Sequence, residues 1–375
     1  MFVNIHIMRK VLSGFIICLF SMNLGNAQDT AGQGKLEVVA SLDKAQPIGV
    51  SVSSTNRVFV SFPHREPYLF GLTEIVDGKM KPYPNHKWQL TMGNEQEHYV
   101  NVQDIYVDTA DQLWVLDSKP APKSSIFGGG TAAEEQEGKF KLIQFDLKTN
   151  QLVRIYNFED LNKVKAALND VRVDTEKGLA YFSDPGQAGI VVLNLEAGTT
   201  RTVLGNSKFT LSDRNIVLSY DGREMRDKDG NPFSSNVNGI ALSKDNKWFY
   251  FKPINGLSLY RIETKYLADE SLRDIDLVNK IENVAEVGVT HGLVADKEGN
   301  IYLTNSLDYS IRRVTPEGKI ELIVQDPRLL WPDSLGVGSD GYLYFSCAQM
   351  HLLPQWNGGE DKIKYPFEVY RVKVL

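Results

Sequence analysis

The sequence predicts an all-β fold, a six-bladed β-propeller, on three observations. A strand–turn–strand phrase recurs along the 375 residues. No helical crossover pattern separates its copies. The last copy is one strand short, and a stretch near the N-terminus can supply that strand and close the ring. The phrase is plainest at Phe233–Glu263, FSSNVNGIALSKDNKWFYFKPINGLSLYRIE. There Gly239–Leu242 and Trp248–Phe251 read as strands joined by the turn Ser243–Lys247. Leu257–Ile262 follows the Pro253–Gly256 turn as a third. β-branched and aromatic residues fill the strands, and Lys, Asp, Asn and Gly fill the turns.

In chain order, Lys35–Leu42 alternates as a strand. Blade one reads as Pro47–Val52, Arg57–Phe62 and Tyr68–Ile75, closed by the hairpin signal Asp77-Gly78. Blade two is Val102–Val107, Leu113–Asp117, Phe140–Asp146 and Val153–Phe158. It carries a surface loop over residues 118–138, whose Gly128-Gly129-Gly130 lacks the Lys-Ser/Thr of a phosphate cradle. Leu161–Leu168 reads as a short helix. Asn169–Val173, Leu179–Asp184, Ile190–Asn194 and Thr200–Leu204 make blade three. The connector Asn206–Asn236 holds Asp227–Asn231, which reads as a hairpin turn because the downstream Glu of a calcium loop is absent. The recurring phrase is blade four, and Tyr266–Asn279 after it is a part-helical connector. Thr290–Ala295, Asn300–Thr304, Ser310–Thr315 and Ile320–Val324 make blade five. Asp333–Gly338, Tyr342–Cys347 and Phe367–Val374 make blade six, with a long loop over 349–366. The anchors Gly49, Asp104, Asp170, Gly239, Gly292 and Ser334 are spaced 55, 66, 69, 53 and 42 residues apart. Lys35–Leu42 completes blade six and removes an exposed edge.

Residues 1–27 read as a signal peptide, and 28–375 as a single propeller domain. Arg9 and Lys10 precede the apolar run Val11–Leu24, and Gly25-Asn26-Ala27 offers small residues for cleavage. The expected location is therefore secreted or periplasmic, with no stable membrane insertion after cleavage. Of two cysteines, Cys18 lies in that segment, so Cys347 has no intramolecular partner. The formal charge is −6, and −8 without Arg9 and Lys10, which argues against nucleic acid as a partner. A monomer is expected.

The first strand of each blade runs beside the axis, so equivalent residues at the strand starts converge. They are Ile48, Gln103, Asn169, Asn238, His291 and Asp333, and the next positions add Asp104 and Asp170. Such a ring suits a polar ligand or a divalent cation. It equally suits side chains that bond the backbone of the next blade, with water in the channel. For a small organic ligand in an axial pocket, the candidate residues are Gln103, Asp104, Asp170, His291 and Trp331. Trp88, Phe127, Trp356 and Tyr365 are further aromatic candidates.

Val102–Asp117 (VQDIYVDTADQLWVLD), Leu168–Asp184 (LNDVRVDTEKGLAYFSD), Asn238–Tyr260 and Trp331–Ser346 (WPDSLGVGSDGYLYFS) resemble the major royal jelly protein/yellow family, in a bacterial branch. The resemblance implies a secreted six-bladed propeller but no single activity, since insect members include pigment-pathway, nutritive and amine-binding salivary proteins. More distantly, the chain is similar to gluconolactonase-like propellers, which hold a metal with Glu, Asn, Asn and Asp. Asn169 and Asn238 match two of those positions, Ile48 stands at the Glu, and Thr290-His291-Gly292 stands at the catalytic Asp phrase. This likeness implies the alternative function, a metal-dependent lactone or ester hydrolase. Asn169, Asn238 and Asp333 would hold the metal, calcium ahead of zinc, and His291 and Asp333 would be the catalytic pair.

Overall fold

The computed structural model describes residues 34–118 and 140–374. These form six four-stranded antiparallel sheets and one short hairpin. The inner strands are Val50–Val52, Val102–Val107, Val171–Asp174, Val237–Leu242, Leu293–Ala295 and Pro332–Val337. Each touches the inner strand of the next blade, and the sixth touches the first, so the ring is closed. In blade six, Glu37–Asp43 pairs antiparallel with the C-terminal strand Phe367–Lys373, which joins the two chain ends as the strand count predicts.

The core is divided rather than central. Six apolar clusters lie between adjacent blades; that between blades two and three includes Trp114, Leu116, Val171 and Phe182. A seventh lies under the connectors 206–236 and 348–358 and gathers Ile48, Tyr220, Phe233, Trp331 and Trp356. Turns between strands one and two are tied by side chains: Asp108 accepts from the backbone of Ala110 and Gln112, and Asp296 from Glu298 and Asn300. At the ends of second strands, Asp117 accepts from the N–H groups of Val100 and Asn101, and Asp184 from that of Ala167.

Several elements differ from the sequence reading. Blade one's third strand starts at Leu72, and its fourth, Lys79–Pro82, lies in the stretch read as following a closing turn. Blade four gains a fourth strand, Glu282–Glu286, whose mixed polar sequence carries no alternation. Residues 161–168 form turns, not a helix, with Asn162 accepting from Lys165 and Ala166. Blade five's inner strand begins only at Leu293, so His291 and Gly292 precede it. The connector after blade four is part-helical, at Thr264–Ala268 and Asp274–Val278. Asp227–Asn231 is a backbone turn, closed by Asp227 N–H to Asn231 O. The expected leader at 1–27 and most of the loop at 118–138, Phe127 included, fall outside the described residues.

The anchors meet the next blade at one register position, by two solutions. Asp104 accepts from the N–H of Val171 and Ser334 from that of Val50, and the Asp170 carboxylate is favoured by the nearby N–H of Ile240. At Gly239 and Gly292 no side chain fits. A Cβ on Gly239 would lie 2.4 Å from the carbonyl oxygen of His291, and one on Gly292 would lie 1.8 Å from that of Asp333. The inner strands of blades two, four and six bulge at this point, which releases the anchor from its ladder. In blades one, three, five and six a second-strand hydroxyl takes the anchor's N–H: Ser61 for Gly49, Ser183 for Asp170, Thr304 for Gly292 and Ser346 for Ser334.

Gly292→Ala should therefore destabilise the protein by about 2 kcal/mol or more, because two backbones must part. Gly256→Ala, where the nearest atom lies at an ordinary 3.4 Å, should cost under about 1 kcal/mol. Urea denaturation of the two variants checks the difference.

Candidate functional site

A cation closes the axis from within. Arg172, second residue of blade three's inner strand, is buried. One guanidinium nitrogen lies 3.0 Å from Asp104 Oδ2 in blade two, and the other donates to the carbonyl of Leu293 in blade five at 3.1 Å. The ring of Tyr106 lies 5.5 Å from the guanidinium carbon. Arg172 thus spans the ring from one side to the other and forms a floor. Its pairing neutralises Asp104, whose carboxyl is nevertheless raised by burial against the pull of Arg172.

Around this floor lie the strand-start residues. Gln103 donates to Asn169 Oδ1 at 3.1 Å, and Asn169 Nδ2 donates to Asp170 Oδ1 at 2.7 Å. Gln103, Asn169 and Asp170 are therefore one chain of hydrogen bonds. Among the described residues, nothing hydrogen-bonds the side chain of Asn238, and no cationic side chain is ion-paired with Asp170 or Asp333. Asp333 Oδ2 accepts from the indole N–H of Trp331 at 3.1 Å. Burial and the charge of Asp104 hold the Asp170 carboxyl well above its usual range, against the opposing charge of Arg172. Burial pushes Asp333 up to about 7, with Asp104 adding to the rise and Trp331 and Arg65 opposing it. The result is two part-buried carboxylates with no fixed counter-ion, plus a free amide.

The aromatic candidates belong to the roof. Trp331 is 1% exposed and sits at φ 58°, a conformation that non-glycine residues rarely adopt. Its ring stacks on His291 with centroids 4.0 Å apart, and packs edge-on against Phe233. Tyr220 lies 5.8 Å from Trp331 and stacks on His351 at 4.2 Å. Ser306 Oγ lies 2.7 Å from both His291 Nε2 and the Tyr220 hydroxyl. His291 is enclosed. Burial, with the charges of Lys252 and His351, keeps its pKa well below the ordinary value, and its Nδ1 is buried without a partner. It therefore stays neutral near pH 7, as part of the roof rather than of an open ring. Ile48 also packs there, and its carbonyl accepts from Ser346. Trp356 is buried in the same roof, Trp88 packs between blades one and two, and Tyr365 is exposed.

Several residues of the site escaped the sequence reading. Arg172 carried a usable signal, since a cation between the two valines of an innermost strand must find a partner near the axis. Tyr220 and His351 lie in connectors, where no period marks an inward side chain. Lys252 sits where four other blades carry Ser or Thr. It is fully buried, donates to the carbonyls of Pro253 and Gly256, and burial lowers it to about 7.

Among the described residues, no three His, Cys, Asp or Glu side chains are placed to share a metal ion. The oxygen donors nearest such a role are the Asn238 amide and the carboxylates of Asp170 and Asp333. The Asn169 oxygen is already engaged by Gln103, and the blade-one position is the apolar Ile48.

The family model described as Major royal jelly protein matches residues 100–374. Major royal jelly protein 1 of Apis mellifera is 21% identical over 60% of this chain and 50% of its own length. The yellow-related salivary protein LJM17 of Lutzomyia longipalpis is 25% identical over 60% of this chain and 57% of its own. The chain spans about half the length of the curated relatives it matches. A solved gluconolactonase from Xanthomonas campestris superposes with a TM-score of 0.54 at 11% identity, covering 91% of this chain and 90% of that one. At that identity the likeness shows the fold.

Because folding raises the Asp333 pKa from near 3.8 to about 7, the native state holds the proton more tightly than the unfolded chain. Its ionisation costs stability as pH rises through that window. Asp333→Asn should match the parent at pH 4 and exceed it by about 1 kcal/mol or more at pH 8, in urea denaturation at each pH.

Proposed function

Because the chain belongs to the major royal jelly protein family, we propose that it binds a small organic ligand in the axial pocket above Arg172. The observation that carries this reading is the uneven charge balance there. Asp104 is ion-paired with Arg172, whereas among the described residues Asp170 and Asp333 have no ion-paired cation and feel only the more distant charges of Arg172 and Arg65. A ligand ammonium, or a group rich in N–H and O–H donors, would relieve that imbalance. Asn238 would add an oriented amide, and the roof would supply an apolar wall. The pocket would be blind, with Arg172 as its floor, so a ligand would enter and leave on the roof side. Relatives named for royal jelly and saliva, together with the leader-like N-terminus, support a secreted or periplasmic place of action.

A second reading, a metal-dependent lactone or ester hydrolase, rests on the free Asn238 amide beside carboxylates and on the fold shared with a gluconolactonase. The donors are hard oxygens, which suits calcium better than zinc. The set is incomplete at Ile48, which ranks this reading second. Within it, Asp333 is the residue able to exchange a proton near neutrality, and His291 stays neutral in the roof.

Calorimetric titration with 2-phenylethylamine should give saturable binding, weakened about tenfold or more by Asp170→Asn. Failure of amines, sugars and lactones alike to bind, or equal binding by that variant, would remove the first reading. Metal analysis of purified protein decides the second. A metal-free protein with no lactonase activity in added calcium, zinc or manganese would dismiss it.

A further inference from the structure

A second cavity, of about 190 Å³, lies at the rim of blades one and six. The segments 44–46, 62–70 and 353–367 wall it. Among the described residues Arg65 is the only arginine lining it, and it touches Met350 at the edge of the roof. One terminal nitrogen donates to Gln46 Oε1 at 2.6 Å and lies 3.1 Å from the sulfur of Met350. Among the described residues, no carboxylate forms an ion pair with Arg65, and no protein acceptor takes its Nε or its other terminal nitrogen. Burial brings its pKa down to about 10, opposed only by the charge of Asp333. Asp333 reaches Arg65 through its charge alone, so this desolvated guanidinium keeps a fork of donors with no anion hydrogen-bonded to it. Lys44 also lines the cavity, with no ion pair among the described residues and its ammonium 5.6 Å from the ring centre of Tyr365. Tyr68, Phe62 and Phe367 give the cavity aromatic walls.

We propose that this rim cavity is a separate binding site for a small monocarboxylate with an apolar or aromatic body. The carboxylate would take the open edge of the Arg65 fork, with Lys44 adding long-range attraction, and the body would lie among the aromatic walls. Glu66 and Asp361 also line the cavity, and each accepts a nearby backbone N–H instead of pairing with Arg65. They disfavour a second negative charge, which selects against phosphate and dicarboxylates. The volume is below that of drug-sized sites, so the ligand is of single-ring size.

The test is calorimetric titration of the full chain with phenylacetate, neutral phenylacetamide and inorganic phosphate. Phenylacetate should bind saturably and at least about tenfold more tightly than either of the others. Arg65→Gln should weaken it about tenfold, and Lys44→Ala, at an exposed position that folding does not depend on, severalfold. Saturation with 2-phenylethylamine should leave phenylacetate bound, its affinity unchanged or raised as the ammonium offsets Asp333, which keeps this site distinct from the axial one. Each phenylacetate result stands whether or not the amine binds. The proposal is overturned if phenylacetate shows no saturable binding, binds no better than the amide, or is indifferent to both substitutions. Displacement by the amine would also overturn it.

Discussion

One register position on the inner strands governs how the blades meet. Where it holds Asp104 or Ser334, a side chain accepts the N–H of the next blade's strand, and Asp170 stands near the N–H of Ile240. Where it holds Gly239 or Gly292, the next blade's carbonyl comes so close that no Cβ fits. Both solutions serve one need. Strands converging on an axis have too little room for two side chains abreast, and backbone groups at the crowded end must still be bonded. The bulges at these points and the second-strand hydroxyls complete that bonding.

The pocket's electrostatics follow from the same arrangement. Two of the three anchor positions with polar residues carry aspartate, so latching the blades places carboxylates on the axis. Arg172 balances one of them and bridges to Leu293, which makes it both a cross-ring brace and a floor. Asp170 is bonded by an amide and stands near a backbone N–H, neither of which carries charge, and Asp333 is bonded by an indole. In the proposed binding role, the carboxylates that lack an ion pair would be the ones to meet a ligand, and the structural ring and the binding ring would be the same residues in two degrees of neutralisation.

The repeat and its closure were legible because they depend on strand alternation and turn residues, which are local. Asp104 and Asp170 were legible as axial residues for the same reason. Their different states were not, because those depend on Arg172 reaching across the ring from a neighbouring blade. His291 and Trp331 were read as an open ring and wall. They lie under a roof made by connectors whose sequence carries no period, so their burial could not be read from spacing. Lys79–Pro82 and Glu282–Glu286 are outer strands exposed on one side, and their polar composition hides them among turns. Arg65 sits in an irregular loop, where sequence alone gives no reason to ask which anion it lacks.

If the axial carboxylates above Arg172 hold a ligand, a crystal structure of the protein soaked with 2-phenylethylamine will show the ammonium within hydrogen-bond reach of Asp170 or Asp333. Its ring will lie toward the roof, with the Asp104–Arg172 pair intact beneath it. Amine found only at the outer surface, with the axial carboxylates touched by water alone, would rule that binding mode out.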